Sequence, residues 1–176
     1  MSFAVFLSHS AGDQSLVGDL REVAKRIGCD LYVYTDDPQA GRNLAEKVKE
    51  RIEASDVVIV LLTNLSASSG AVQQEVGLAL ALNKPIIPVK AKGLNHRTLG
   101  FLLDREWIEL DPADQAGALA GIQHSLARYK SLVEAQVVIL VLLLTAILIG
   151  WLLTNGSPRA SRQAPGSLSK TDAGGA

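Results

Sequence analysis

A chain of 176 residues with 17 basic and 18 acidic side chains has a net charge of -1, which gives no reason to expect nucleic acid or anionic lipid as its main partner. Hydrophobic residues make up 48% of it, and the single cysteine, Cys29, excludes an internal disulfide and suits a reducing compartment. With the apolar C-terminal run and the residues after it set aside, about 130 residues remain, one domain's worth.

Apolar runs and helical patterns then alternate along the chain. Phe3–Ser8 (FAVFLS) is short and nearly all apolar, which predicts a strand buried on both faces. Leu16, Val17, Leu20, Val23, Ala24 and Ile27 recur on one face of a helix over Gln14–Ile27. Asp13 is its expected N-cap and Gly28 its stop. Leu31–Tyr34 reads as a second strand, and Asn43–Ala54 as a helix with Leu44, Val48 and Ile52 on one stripe. Asp56–Thr63 contains VVIVLL, the clearest central strand. A helix over Gly70–Leu82, a strand at Ile86–Val89, a short strand at Glu106–Glu109 and a helix over Ala113–Tyr129 complete the series. Such β-α alternation with short connections predicts an α/β fold, a parallel sheet covered by helices on both faces. Ligands of such sheets bind beyond the carboxyl ends of the strands. The loops to inspect are therefore Ser8–Asp13, Thr35–Arg42, Thr63–Ser69 and Lys90–Asn95.

Val137–Leu153 is a run of 17 residues without charge, interrupted only by Thr145 and Gly150. At 1.5 Å per residue it covers roughly 25 Å, and counting from Leu132 gives enough length to cross a bilayer. Trp151 lies near its far end, where an amphipathic ring suits the interface. A buried core helix of this length would carry a polar face, and this run has none. Residues 122–149 contain neither Gly nor Pro, so the last helix is expected to continue into the span as one rod. The division expected is a soluble domain over 1–131, a transmembrane helix over 132–153 and a disordered Ser-, Gly-, Ala- and Pro-rich tail over 154–176. Met1–Ser8 lacks the features of a secretory signal, so the expected arrangement is a C-terminal anchor with the soluble domain in the cytosol. Arg128 and Lys130 before the span and Arg159 and Arg162 after it leave the positive-inside comparison undecided.

The strand-end loops are small and polar: Ser8, His9 and Ser10; Asp36, Asp37 and Gly41; Thr63, Asn64, Ser66, Ser68 and Ser69. Glu75 is the odd residue, because the later turns of its helix are almost wholly apolar. Two readings of it are open. Beside such a surface a carboxylate acquires a raised pKa or a strongly held partner. On the first turns of a helix it is also a favourable solvated residue, whose removal would cost at most about 0.5 kcal/mol. Other constellations are weak. His9, His96 and His124 lack metal spacing, one cysteine cannot build a zinc site, and no metal is expected. Phosphate-binding GxxxxGK[ST] and GxGxxG loops are missing, as is a GxSxG elbow. Asp36–Asp37 reads as a turn, His9 as a loop histidine bonding backbone, and Cys29 as a packing residue.

In order along the chain, AVFLSHSAGD, TDD…AGRNL and SDVVIVLLTNLSASSGAVQQEVGLALALNKPIIPV resemble a bacterial Toll/interleukin-1 receptor (TIR) domain over about residues 3–130. The resemblance implies a flavodoxin-like five-stranded parallel sheet. It implies an NADase that cleaves NAD+ at the nicotinamide–ribose bond, giving ADP-ribose or a cyclic isomer in immune or stress signalling. NAD+ would be the substrate, with no separate cofactor, and other TIR domains the partners in self-association. Glu75 matches the catalytic glutamate, bonding the ribose hydroxyls and stabilising oxocarbenium-like charge. Ser8, His9 and Ser10 match the first nucleotide loop, Asp36, Gly41 and Leu44 the mobile loop after the second strand, and Thr63, Asn64, Ser66 and Ser69 the loop under the substrate. One departure is Ala71, where many such domains carry an aromatic residue four positions before the glutamate. A non-catalytic TIR adaptor assembling at the membrane is the alternative. A phosphoacceptor receiver shares the fold class but would need an acidic pair and an Asp where this chain has SHSAGD and LLTN.

Overall fold

The computed structural model of the chain describes residues 2–34, 43–95, 100 and 102–155. The chain divides into two units, Met1–Glu134 and Ala135–Ala176. The first holds β1 (Phe3–Ser8), α1 (Gln14–Arg26), β2 (Cys29–Tyr32), α2 (Leu44–Ala54), β3 (Val57–Leu62), α3 (Gly70–Ala81), β4 (Ile86–Ala91) and β5 (Ile108–Leu110). A single 3-10 turn, Ala11–Asp13, joins β1 to α1. The last helix, α4, runs Gln115–Asn155 and so enters both units.

The five strands form one parallel sheet in the order β2-β1-β3-β4-β5, the flavodoxin-like arrangement expected. Alternation of side chains along the strands makes two cores. Val5, Leu7, Val57, Ile59, Leu61 and Val89 face α1 and the first turns of α4 through Val17, Leu20, Ile122 and Leu126. Phe6, Val58, Val60 and Leu62 face the other side, against Ile52 of α2 and Val72, Val76 and Ala79 of α3. Every residue of β3 is buried, as a central strand covered on both faces requires.

Three strands depart from their expected ranges, and β2 ends at Tyr32 instead of Tyr34. β2 starts at Cys29, directly after Gly28 turns the chain with φ +65°, because Cys29 pairs with Phe3 at the head of β1. β4 continues through Lys90 and Ala91, which pair with Glu109 and Leu110. This register also shifts β5 towards the C-terminus. The Lys90 ammonium stays in a strand because it donates to Leu94 O at 3.3 Å and lies 5.3 Å from the Trp107 ring centre. Pro88 sits in β4 without breaking the sheet, since the β4–β5 pairing begins only at Val89.

In the first unit α4 buries Ala118, Ile122 and Leu126. Lys130 fastens its later turns by donating to the carbonyls of Ile27 (2.6 Å) and Gly28 (3.2 Å) after α1. In the second unit all residues from Ala135 to Asn155 are exposed, including the full Val137–Leu153 run. It is one helix long and apolar enough to cross a membrane. Of the expected tail, Thr154 and Asn155 belong to α4, and 156–176 lie outside the described residues.

Candidate functional site

The order of the strands reverses between β1 and β3, so their carboxyl ends diverge into neighbouring loops and leave a crevice. Ser8 closes β1 and is fully buried. α3 enters the crevice behind its N-cap Ser69, whose Oγ accepts from Val72 N. On α3 the buried residues are Val72, Glu75, Val76 and Ala79, a spacing that puts Glu75 on the core-facing stripe. Glu75 is only 7% exposed, which corrects the reading of a solvated surface residue.

The Glu75 carboxylate accepts a hydrogen bond from Ser8 Oγ at 2.5 Å. Burial pushes its pKa up to about 7, and the Ser8 bond opposes that rise by favouring the charged form. It forms the inner end of a cleft of about 330 Å³, lined also by His9, Ser10, Leu44, Ser69 and Tyr34. The His9 and Tyr34 rings lie 5.4 Å apart, tilted by 40°, and His9 Nδ1 is 3.4 Å from Leu7 O. Leu44 and Leu65 are more than half exposed and give the cleft two apolar lips. Ala71 lines the same cleft without contributing a ring.

Of the residues singled out from sequence, Ser8, His9, Ser10, Leu44, Ser69 and Glu75 therefore come together at this crevice. Thr63, Asn64 and Ser66 do not line it. Ser66 is buried, accepts from Thr63 N at 2.7 Å and donates to Leu61 O at 2.6 Å, so it ties the loop after β3 to its own strand. Thr63 Oγ1 donates to Asp13 Oδ1 at 3.0 Å. Asn64 is exposed on the turn. Asp36, Gly41 and His96 lie outside the described residues.

Asp13 differs from its expected part. It makes no side-chain cap bond to α1. Its buried carboxylate accepts from Ser10 N at 3.1 Å and from Thr63 Oγ1, joining the β1 loop to the β3 loop. Tyr34, Val48 and Leu65 line the cleft and were not picked out from sequence. The one available signal was the aromatic ring of Tyr34 at the expected end of the second strand, two residues past the end of β2 at Tyr32. Cys29 packs against the first core, and burial raises its thiol pKa, which does not suit a nucleophile.

A family model described as TIR domain matches residues 5–123. No curated protein matches the sequence. Among solved structures, the TIR domain of the Toll-related receptor TRR-2 from Hydra magnipapillata has a TM-score of 0.59 at 18% identity, covering 69% of this chain and 96% of that one. A TIR-STING receptor from C. gigas, solved with 2',3'-cGAMP, has a TM-score of 0.57 at 19% identity, covering 71% of this chain and 38% of that one. The CMP N-glycosidase BcmB of Clostridium botulinum has a TM-score of 0.53 at 18% identity, covering 69% and 98%. At these identities the likeness is one of fold, while the family match extends over more than half the sequence. The chain belongs to the TIR-domain family.

Proposed function

We propose that this chain is a membrane-anchored TIR domain that cleaves NAD+ between nicotinamide and ribose. The observation that carries the proposal is the Glu75 carboxylate, buried at the inner end of the switch-point cleft and held by Ser8. Breaking the C1′–N bond sends its electron pair to nicotinamide, which leaves neutral and needs no proton. Positive charge develops at C1′ and the ring oxygen. An ionised Glu75 against the ribose stabilises that charge in a site where burial weakens competing solvation. Water then attacks C1′ and loses a proton, giving ADP-ribose; attack by a group within the nucleotide gives a cyclic isomer instead. Ser8 holds Glu75 in place, and the His9 and Tyr34 rings with Leu44 and Leu65 offer flat and apolar surface to a base. The name of BcmB, an N-glycosidase of CMP, describes the same class of bond for a protein of this fold.

The exposed run of α4 supports the anchor. Each Leu, Ile or Val side chain left in water forgoes roughly 1.5–3 kcal/mol of burial, which a bilayer returns. The TIR domain then lies on the cytosolic side with its substrate, NAD+, and confinement at the membrane raises the local concentration for self-association. Immune or stress signalling is the role that fits such an enzyme. Ala71 favours a second reading, a non-catalytic adaptor, because it leaves one wall of the cleft without a ring. Inducing the chain in cells and measuring nucleotides by mass spectrometry separates them. NAD+ falls and nicotinamide rises with the wild type under the first reading, whereas Glu75→Ala leaves both unchanged. Unchanged NAD+ with the wild type supports the adaptor.

A further inference from the structure

A second cleft, of about 430 Å³, lies at the opposite end of the sheet from Glu75. It is bounded by the first residues of β4, the approach to β5 and the turns of α4 that precede the apolar run. Helices of this fold run antiparallel to the strands, so α4 leaves the first unit at the strands' amino ends. His124, Arg128 and Leu132 line the cleft at intervals of four residues, hence on one face of α4. Arg105 and Trp107 line it from the β5 side, and Tyr129 of α4 also lines it.

The cations here are not used up by the fold. Among the described residues, neither Arg105 nor Arg128 forms an ion pair or a side-chain hydrogen bond, whereas Lys130 nearby is engaged with Ile27 and Gly28. Glu106 is the one acidic residue lining the cleft, set against two arginines. A planar guanidinium presents paired donors that match phosphate oxygens. Trp and Tyr rings, with a polar edge and an apolar body, suit the boundary between headgroup and acyl chain. Leu132, the last lining residue, stands five positions before Val137. The occupant that fits thus carries phosphate, and in sequence the cleft ends five residues before the apolar run.

We propose that this cleft binds the headgroup of an acidic membrane phospholipid through Arg105 and Arg128, with Trp107 and Tyr129 against its glycerol end. The proposal rests on the reading of the apolar part of α4 as a bilayer span. It locates an acidic-lipid preference in one cleft, although the net charge of the chain is close to zero.

The test uses the full-length chain in nanodiscs of equal parts phosphatidylcholine and phosphatidylglycerol, with native mass spectrometry of the lipids retained on release. Phosphatidylglycerol should be enriched over the bulk mixture, and enrichment should fall about fivefold for each of Arg105→Ala and Arg128→Ala, from about 1 kcal/mol per cation. In a Trp151→Phe background Trp107 is the sole tryptophan. Its quenching by acrylamide should decrease in mixed discs relative to phosphatidylcholine discs, and the double arginine variant should abolish the decrease. Retention of both lipids in bulk proportion, or enrichment that survives the double variant, overturns the proposal. So does protection of Trp107 in phosphatidylcholine discs by millimolar inorganic phosphate alone, which would make this a site for a free phosphoanion. A chain that stays soluble and enters no disc overturns the membrane reading along with it. A chain that enters discs without lipid preference overturns the headgroup site alone.

Discussion

Replacing Glu75 by glutamine keeps the shape of the side chain and an acceptor for Ser8 Oγ while removing the titratable proton. The buried carboxylate has a pKa pushed from 4.5 to about 7. Well below pH 4.5 it is protonated in both folded and unfolded chains, and burial of its charge costs nothing. Between there and about pH 7 the folded state keeps a proton that the unfolded state has lost, so wild-type stability falls as pH rises. The full displacement corresponds to about 3 kcal/mol, developed completely above the folded pKa. Glu75→Gln escapes this penalty. Relative to wild type its melting temperature should rise with pH, reaching an advantage on the order of 10 °C at alkaline pH for a domain of this size. The assay is thermal melting of full-length protein in detergent micelles from about pH 5 to about pH 8.5, followed by near-ultraviolet circular dichroism. A melting difference that does not change with pH would refute the reasoning. A surface glutamate, the alternative open from sequence, would give a change within about 0.5 kcal/mol at every pH.

On the proposed mechanism the ionised carboxylate is the active form, so kcat/KM for NAD+ should rise as pH passes about 7. Ser8→Ala removes the bond that favours the charge and should move this limb to higher pH; a rate falling with pH would make the protonated acid the active species. Asp13→Ala strips two hydrogen bonds from a buried carboxylate position, those from Ser10 N and Thr63 Oγ1, and should cost about 2–3 kcal/mol in chemical denaturation. A loss under about 0.5 kcal/mol would mean the two loops hold together without it. A chain ending at Glu134 keeps the whole first unit. At dilute, matched concentration it should cleave NAD+ much more slowly per molecule than the anchored chain, and artificial clustering should restore the rate. Equal rates would reduce α4 to an address.

Much of the fold is legible because it depends on local pattern. Val57–Leu62 can be nothing but a doubly covered strand, and the alternation of runs and amphipathic stretches forces the parallel sheet. Lys90 misleads, since a charge after IIPV reads as a strand end, yet its partners, Leu94 O and the Trp107 ring, are supplied from outside the strand. The burial of Glu75 is also written in the sequence, through its spacing from Val72, Val76 and Ala79. Attention to the apolar later turns of the helix leaves that stripe unread. Asp13 and Thr63 could not be paired from sequence. They are 50 residues apart and meet only because β1 and β3 are neighbours in the sheet. For the same reason a short polar loop such as TNLSASS looks uniformly like substrate contact. In the structure Ser66 and Thr63 bond to backbone and to Asp13, and of this loop Leu65 and Ser69 reach the cleft.

The central claim is that Glu75 in the β1–β3 crevice breaks the bond between nicotinamide and ribose. The most direct measurement is nicotinamide release from NAD+ by the purified full-length protein in nanodiscs at high surface density, above pH 7, with Glu75→Gln in parallel. Steady release by the wild type, with loss of at least about a hundredfold in the folded variant, is the predicted result. Release that is equal in both proteins, or undetectable in the wild type at any density, would contradict it.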